Sequence, residues 1–365
     1  MKGYEVEILS PLNIGNGSKK MPFEYILKNG QVGLINVYKL LEDVNKINYL
    51  VDGVVNGLRS GRIDWKVLKI NVENYIDYRL DYTGFSPIKG EITEFIKTAG
   101  KPYIPGSSIK GALRSSITRA MHNSISNNYI SSLDFSFKNS SVKKERVDDK
   151  AEEDVFGKPH NSPFRFLNIG DTEPFKVEEM GIFEMKILNI CNGKVKWYKY
   201  QDNKDNPNEA VSIYLEGLKR GSKNTGYINI DKRINDDYII REGKIQRAEI
   251  IKNFISLVKK DVSSYIEKET RFFEKYNLPE IGNFYKKLKE INDKLKENEL
   301  IIQIGFGTGF NSKTISSLFD EKNKIKLEKY YNRNFDKNLF PKTRRIIFEN
   351  GKPNAVPGWV KISFK

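Results

Sequence analysis

The chain has 365 residues, 38% hydrophobic and 30% charged, which predicts a soluble globular protein of two domains, or of one large domain with insertions. No apolar run approaches the ~18 residues of a membrane helix, the single cysteine excludes a disulfide framework and a cysteine-rich zinc site within the chain, and the opening MKGYEVEILS lacks a signal-peptide core, so a cytoplasmic location is expected. Sixty-two Lys and Arg against 47 Asp and Glu give a net charge of +15, which points to a polyanion such as nucleic acid or an acidic membrane surface.

Part of the lysine excess also fits the codon drift of an AT-rich genome. The 19 tyrosines and 21 phenylalanines add stacking surface for unpaired bases, although most aromatics are expected in the core.

In chain order, residues 3–9 alternate and predict a strand. A Gly/Asn-rich turn follows at 13–17. A helical stretch opens at Val37–Leu41 and runs in pieces to about Val72. Residues 87–104 suggest a hairpin, then a helix capped by Ser107 or Ser108 that runs to about Ser124. Residues 126–160 are polar and charged and read as an insertion. A strand follows at 164–170. The order fits a ferredoxin-like β-α-β-β-α-β unit, the architecture of RNA-recognition modules. The expected fold is therefore α+β. A ferredoxin-like domain covers 1–178 with the charged insertion at about 126–160, and a second α+β domain with helical segments covers 179–365. In that second half, strands are expected at 181–190, 211–218, 299–304 and 359–364. Loops are expected at 200–209 and 219–226, and helices at 247–275 and 284–297. No fixed-period repeat is visible.

Four segments carry chemistry. In YIPGSSIKGALR (Tyr103–Arg114), Pro105 and Gly106 turn the chain into a helix whose first N–H groups suit a phosphate. Lys110 and Arg114 lie four apart, and Gly111 permits close approach of a sugar-phosphate chain. A plain capped core helix with two solvated charges fits the same residues. In IQIGFGTGFNSK (Ile302–Lys313), Gly305, Gly307 and Gly309 let backbone amides face an anion. Phe306 and Phe310 are placed to stack, and Asn311, Ser312 and Lys313 add polar groups. This is not a Walker A loop, because no GKS or GKT ends it. A nucleotide-binding Rossmann motif would need more chain than the roughly 55 residues that follow. A plain glycine turn also fits. LNIGNGSKK (Leu12–Lys20) reads as a basic loop after a strand, or as a simple exposed turn. The stretch 322–345 interleaves lysines, arginines and aromatics. It reads as a phosphate-tracking surface or as a solvated charge run.

Catalytic constellations are scarce. His122 and His160 are the only histidines, and no HExxH, GxSxG or paired-Cys pattern occurs. Asp148, Asp149 and Asp154 cluster within the charged insertion and read as solvating. No metal or cofactor is expected.

The motifs stand in a recognisable order. An LxIGxG-like loop (Leu12, Ile14, Gly15, Gly17) precedes IPGSSIKGALR (Ile104–Arg114). LNIGDTEPF (Leu167–Phe175), IGFGTGFNSKT (Ile304–Thr314), PKTRR (Pro341–Arg345) and PGWVKI (Pro357–Ile362) follow. Together they resemble the RAMP superfamily of CRISPR proteins, across nearly the whole chain. The late glycine loop and the ending resemble the fifth-subunit family of type III-A (Csm) effector complexes. The resemblance implies a non-catalytic subunit that holds the 3′ part of the guide RNA. It also implies a position capping the repeating backbone subunit beside a small helical subunit, and support for 3′-end trimming by outside nucleases. The residues expected at the RNA are Asn13, Gly15, Lys19, Lys20, Ser107, Ser108, Lys110, Arg114, Gly305, Gly307, Gly309, Asn311, Lys313, Arg344 and Arg345. Cleaving backbone subunits of the superfamily carry an Asp before the IPGSS helix. Here Lys19–Gly30 holds Glu24 and no Asp, so no target cleavage is expected. Two alternatives stay open. One is a repeat-processing endoribonuclease using His122, and the other is a different RAMP position, for instance in a type III-B complex.

Overall fold

The computed structural model describes residues 3–44, 48–60, 63–85, 87–125, 149–200, 202–315 and 341–365. Two sheets share one main hydrophobic core.

The first sheet has five strands, in the order Glu299–Gln303, Trp359–Phe364, Tyr4–Ile8, Lys223–Ile230 and Leu167–Thr172. Every neighbouring pair is antiparallel. The period of two is clear in the central strand. Tyr4, Val6 and Ile8 are buried, while Glu5 and Glu7 take the other face and pair with Lys365 and Lys223. Setting the Glu299–Gln303 edge aside, the chain runs strand 4–8, helix Gly106–Ala120, strand 167–172, strand 223–230, helix Glu249–Lys275, strand 359–364. The first of these strands therefore sits between the fourth and the third. The two helices pack on each other. The longer one buries Ile250, Ile251, Phe254, Val258, Val262, Ile266 and Phe273 on one face, as its 3.6-residue periodicity requires. It then turns into the helix Pro279–Asp293.

The second sheet has ten strands and is built on Met180–Cys191. That strand pairs antiparallel with Ser212–Leu218, Lys194–Trp197 and Thr343–Glu349, and briefly parallel with Ile76–Tyr82. Outward from Ser212–Leu218 come Ile92–Phe95 and then Gly15–Lys20; outward from Ile76–Tyr82 come Gln31–Ile35 and Tyr25–Lys28. A satellite core of Ile35, Leu40, Val54 and Trp65 anchors the helices Val37–Val44 and Asn48–Ser60.

Several expectations change. Both sheets draw strands from before and after residue 178, so the partition into 1–178 and 179–365 does not follow the sheets. Residues 15–20 form a strand rather than a turn, and the expected loop at 219–226 gives way to a strand from Lys223. The hairpin of Thr343–Glu349 and Lys352–Ala355 had no counterpart in the expected elements. Of the insertion at 126–160, residues 126–148 lie outside the described residues, and Asp149–Phe156 is a helix. Of the basic stretch 322–345, residues 322–340 lie outside them too.

Candidate nucleic-acid interface

Three of the four segments converge on one groove of about 720 Å³. Gly15, Gly17, Ser18 and Lys19 form one wall. Ser107, Ser108, Gly111, Ala112 and Ser115 form a second, and Gly305, Phe306, Ser312 and Lys313 a third. The helical wall follows from spacing: residues 107, 108, 111, 112 and 115 share one face of the helix Gly106–Ala120. Serine, alanine and glycine there keep the side chains short, so the groove reaches the backbone.

One main-chain hydrogen bond and one buried side chain hold the walls in register. The N–H of Phe306 donates to the Asn13 carbonyl at 2.7 Å, joining the first wall to the third. Asn13 is itself buried, and its Nδ2 donates to the Glu216 carbonyl at 2.6 Å. The Glu216 carboxylate is buried as well. It accepts from Lys97 Nζ at 2.6 Å, from the Tyr78 hydroxyl at 2.9 Å and from the Phe95 N–H at 2.9 Å.

Behind the third wall lie two buried ion pairs on the long helix, eight residues apart. Asp261 binds Arg119 Nη2 at 2.7 Å, and Arg119 Nη1 donates to the Ser312 carbonyl at 2.5 Å. Glu269 binds Arg344 Nε at 2.6 Å and accepts from Asn311 Nδ2 at 3.1 Å. Burial works against the charge on Arg344, but Glu269 keeps it firmly protonated, and its guanidinium lies 4.1 Å from the Phe272 ring centre. These pairs fix the short helix Phe310–Lys313 and thus the end of the glycine loop.

The cations are used unequally. Lys19 pairs with Glu91 at 2.5 Å, and Lys20 with Glu24 and Glu94. Lys313 and Arg345 have no carboxylate partner among the described residues. The Lys313 ammonium donates to the Gly305 carbonyl at 2.9 Å. Burial and the neighbouring Arg345 hold its pKa below the ordinary lysine value, and burial lowers that of Arg345. The exposed Lys313 and the half-buried Arg345 repel each other beside glycines of positive φ, an arrangement that a bound anion would relieve.

The RAMP superfamily model matches residues 5–312. The chain belongs to the RAMP superfamily. A curated relative from Methanocaldococcus jannaschii, named "CRISPR system Cms protein Csm5", is 24% identical over 98% of this chain and 87% of its own length. Two solved structures share the fold. One is a chain of a Csm–crRNA–target RNA ternary complex of a type III-A CRISPR–Cas system, with TM-score 0.67 and 21% identity over 100% of both chains. The other is the crystal structure of T. onnurineus Csm5, with TM-score 0.64 and 19% identity over 98% of this chain and 99% of that one. This chain and its RAMP relatives therefore share a mixed α/β fold with a curled sheet.

The groove takes up Gly15, Lys19, Ser107, Ser108, Gly305 and Lys313 from the expected set. Others are placed elsewhere. Lys110 Nζ donates to the Leu167 carbonyl at 2.6 Å, and Arg114 pairs with Glu152 at 2.8 Å while its guanidinium lies over Phe156. Both flank the groove face of their helix. Arg344 and Asn311 are tied to Glu269, and Asn13 is a buried brace. Neither Ser107 nor Ser108 caps the helix. Pro105 is the N-cap, and the first N–H, at Gly106, is taken by Asp171 Oδ1 at 2.8 Å. Glu24 accepts from the Met21 N–H at 2.8 Å, closing a local turn. Gly111, expected to permit close approach of a sugar-phosphate chain, lines the groove, and so do Ser115 and Thr93, which were not singled out. The helical spacing from Ser107 and Ser108 was the signal for Ser115.

Gly111 is the sharpest test of this wall. It stands inside a helix, and a methyl group there meets nothing within 4 Å. Gly111→Ala should therefore raise stability by about 0.8–1.0 kcal/mol through helix propensity. The same methyl narrows the groove, so RNA affinity should fall. Thermal melting and an RNA titration, read together, check both signs.

Proposed function

We propose that this chain is a non-catalytic subunit of a type III-A (Csm) effector complex, and that its groove grips the sugar-phosphate chain of the 3′ part of the guide RNA. One observation carries the reading: three Gly/Ser segments meet at a groove lined by Lys313, which, like its neighbour Arg345 behind the lining, lacks a carboxylate partner among the described residues. The Csm5 name of the relative and the Csm–crRNA–target RNA complex that contains a chain of this fold support the assignment. In this reading the subunit caps the backbone filament, contacts the repeating backbone subunit and a small helical subunit, and supports 3′-end maturation by outside nucleases. The groove lining is glycine, serine, threonine, glutamine, lysine and apolar side chains, suited to charge and shape. His122, the alternative catalytic group, donates from Nδ1 to the Arg119 carbonyl in the last turn of the preceding helix, 3.0 Å away, outside that lining. We also read the first sheet as a ferredoxin-like unit threaded from Tyr4 to Phe364. Its strand order of fourth, first, third, second supports this. The second sheet then forms the other unit.

The test is a titration of the full chain with single-stranded RNA at several salt concentrations. Lys313→Gln with Arg345→Gln should weaken binding to all sequences alike. The slope of log K against log[salt] should shrink by roughly 1.4, about 0.7 for each phosphate that is no longer neutralised. Lys110→Ala with Arg114→Ala should leave that slope unchanged. An unchanged slope in the Lys313 and Arg345 variant would remove the groove from the RNA path. Crosslinking within the assembled complex, with sequencing of the attached RNA, locates the guide end.

A further inference from the structure

Phe306 is the large aromatic side chain of the groove lining, and it is 39% exposed. An exposed ring is ordinary on a protein surface, but this one is held in place. Its N–H is bonded to Asn13, and the glycines on either side have φ of +83° and +82°. The Lys313 ammonium rests on the carbonyl of the preceding residue. The helical wall offers only serine, glycine and alanine, and the ring is partly open to the groove. The Lys313 ammonium thus sits beside the Phe306 backbone, so that a phosphate and a neighbouring base have a cation and a ring at the same loop.

We propose that Phe306 is a stacking platform for one unpaired base, which makes the groove selective for single-stranded RNA. This rests on the reading of the groove as an RNA site. In a duplex each base face is covered by its neighbours, so the ring can take only a nucleotide that has left the stack. The platform tolerates any base, because every base has a π-face. Sequence independence and strand selectivity therefore arise together.

The test uses the full chain and an oligouridylate carrying one 2-aminopurine, moved along its length. Weakly stacked uridines leave the free probe bright, and stacking on the ring quenches it. Quenching should appear at one or two adjacent positions and vanish in Phe306→Ala. It should vanish also in Phe306→Leu, which keeps apolar bulk without a ring, and persist in Phe306→Trp. Affinity should fall on the order of tenfold in the first two variants, and a duplex of equal length should fail to compete. Quenching that survives Phe306→Leu, or a duplex that competes equally, would overturn the proposal. The underlying reading is judged separately. If binding survives the Lys313 and Arg345 changes while quenching still depends on Phe306, the cation reading falls and the stacking one stands. If binding is lost in those variants while quenching is indifferent to Phe306, the stacking reading falls and the cation one stands.

Discussion

Replacing Glu269 with alanine should lower the stability of the chain by about 3–5 kcal/mol, a large share of the roughly 5–15 kcal/mol that holds a domain folded. Glu269 is fully buried, and it is the counter-charge of Arg344, itself almost out of solvent. Removing the carboxylate leaves a largely buried guanidinium that cannot lose its proton and has no counter-charge among the described residues. It also strips the acceptor from Asn311 Nδ2. Urea unfolding should show the midpoint falling sharply with little change in slope. The double variant Glu269→Leu, Arg344→Met separates charge from packing. Buried pairs replaced by apolar side chains are often neutral, so most of the loss should return. The unpaired Asn311 amide should keep a residual deficit of about 1–3 kcal/mol. A single variant as stable as the parent would mean that Glu269 does not anchor this end of the glycine loop.

The Arg344–Glu269 pair also shows where sequence reading stops. The two residues are 75 apart, and nothing local to PKTRR marks one arginine as paired with a buried acid and the next as without a carboxylate partner among the described residues. The same holds for Lys110, a helix residue whose partner is the Leu167 carbonyl on a distant strand. Charge counts therefore overstate the cationic surface: Arg344, Arg114 and Lys110 were expected at RNA and are occupied within the fold. The elements with strong periodicity were legible, notably Tyr4–Ile8 and Glu249–Lys275, because burial on one face imposes a pattern that needs no partner to see. The convergence of the glycine and serine segments was legible in part, since such punctuation has few uses beyond turns and close approach. The interleaving of the two sheets was not. Strand pairing joins residues across the whole chain, and a strand such as Lys223–Ile230, with an exposed polar beginning, resembles a loop until its neighbours are known. The long hydrophobic run of Met180–Cys191 revealed a buried strand, yet not that Glu184 and Lys186 within it satisfy each other at 3.1 Å.

Gly305→Ala should be the most damaging small change at the groove itself. At φ +83°, an L-residue carries a conformational cost of about 1–2 kcal/mol. The larger difficulty is space. The added Cβ would fall 2.2 Å from the Asn13 carbonyl oxygen and 2.8 Å from Leu12 Cδ1, the first a backbone atom that no rotamer can move aside. That same carbonyl accepts the Phe306 N–H. To relieve the overlap the loop must lift, breaking the bond that joins two groove walls and adding roughly 1–3 kcal/mol for the buried groups left unpaired. Gly309→Ala supplies the control. Its φ is +90°, but nothing lies within 4 Å of the added methyl, so only the conformational cost applies. The expected order of stability is parent, then Gly309→Ala, then Gly305→Ala, with the last losing roughly 2–5 kcal/mol in all. RNA binding should follow the same order and fall further than stability alone requires, because the lifted loop carries both Phe306 and the carbonyl that steadies Lys313. Equal losses in the two variants would show that backbone conformation alone matters here, and that the contact with Asn13 does not hold the groove closed.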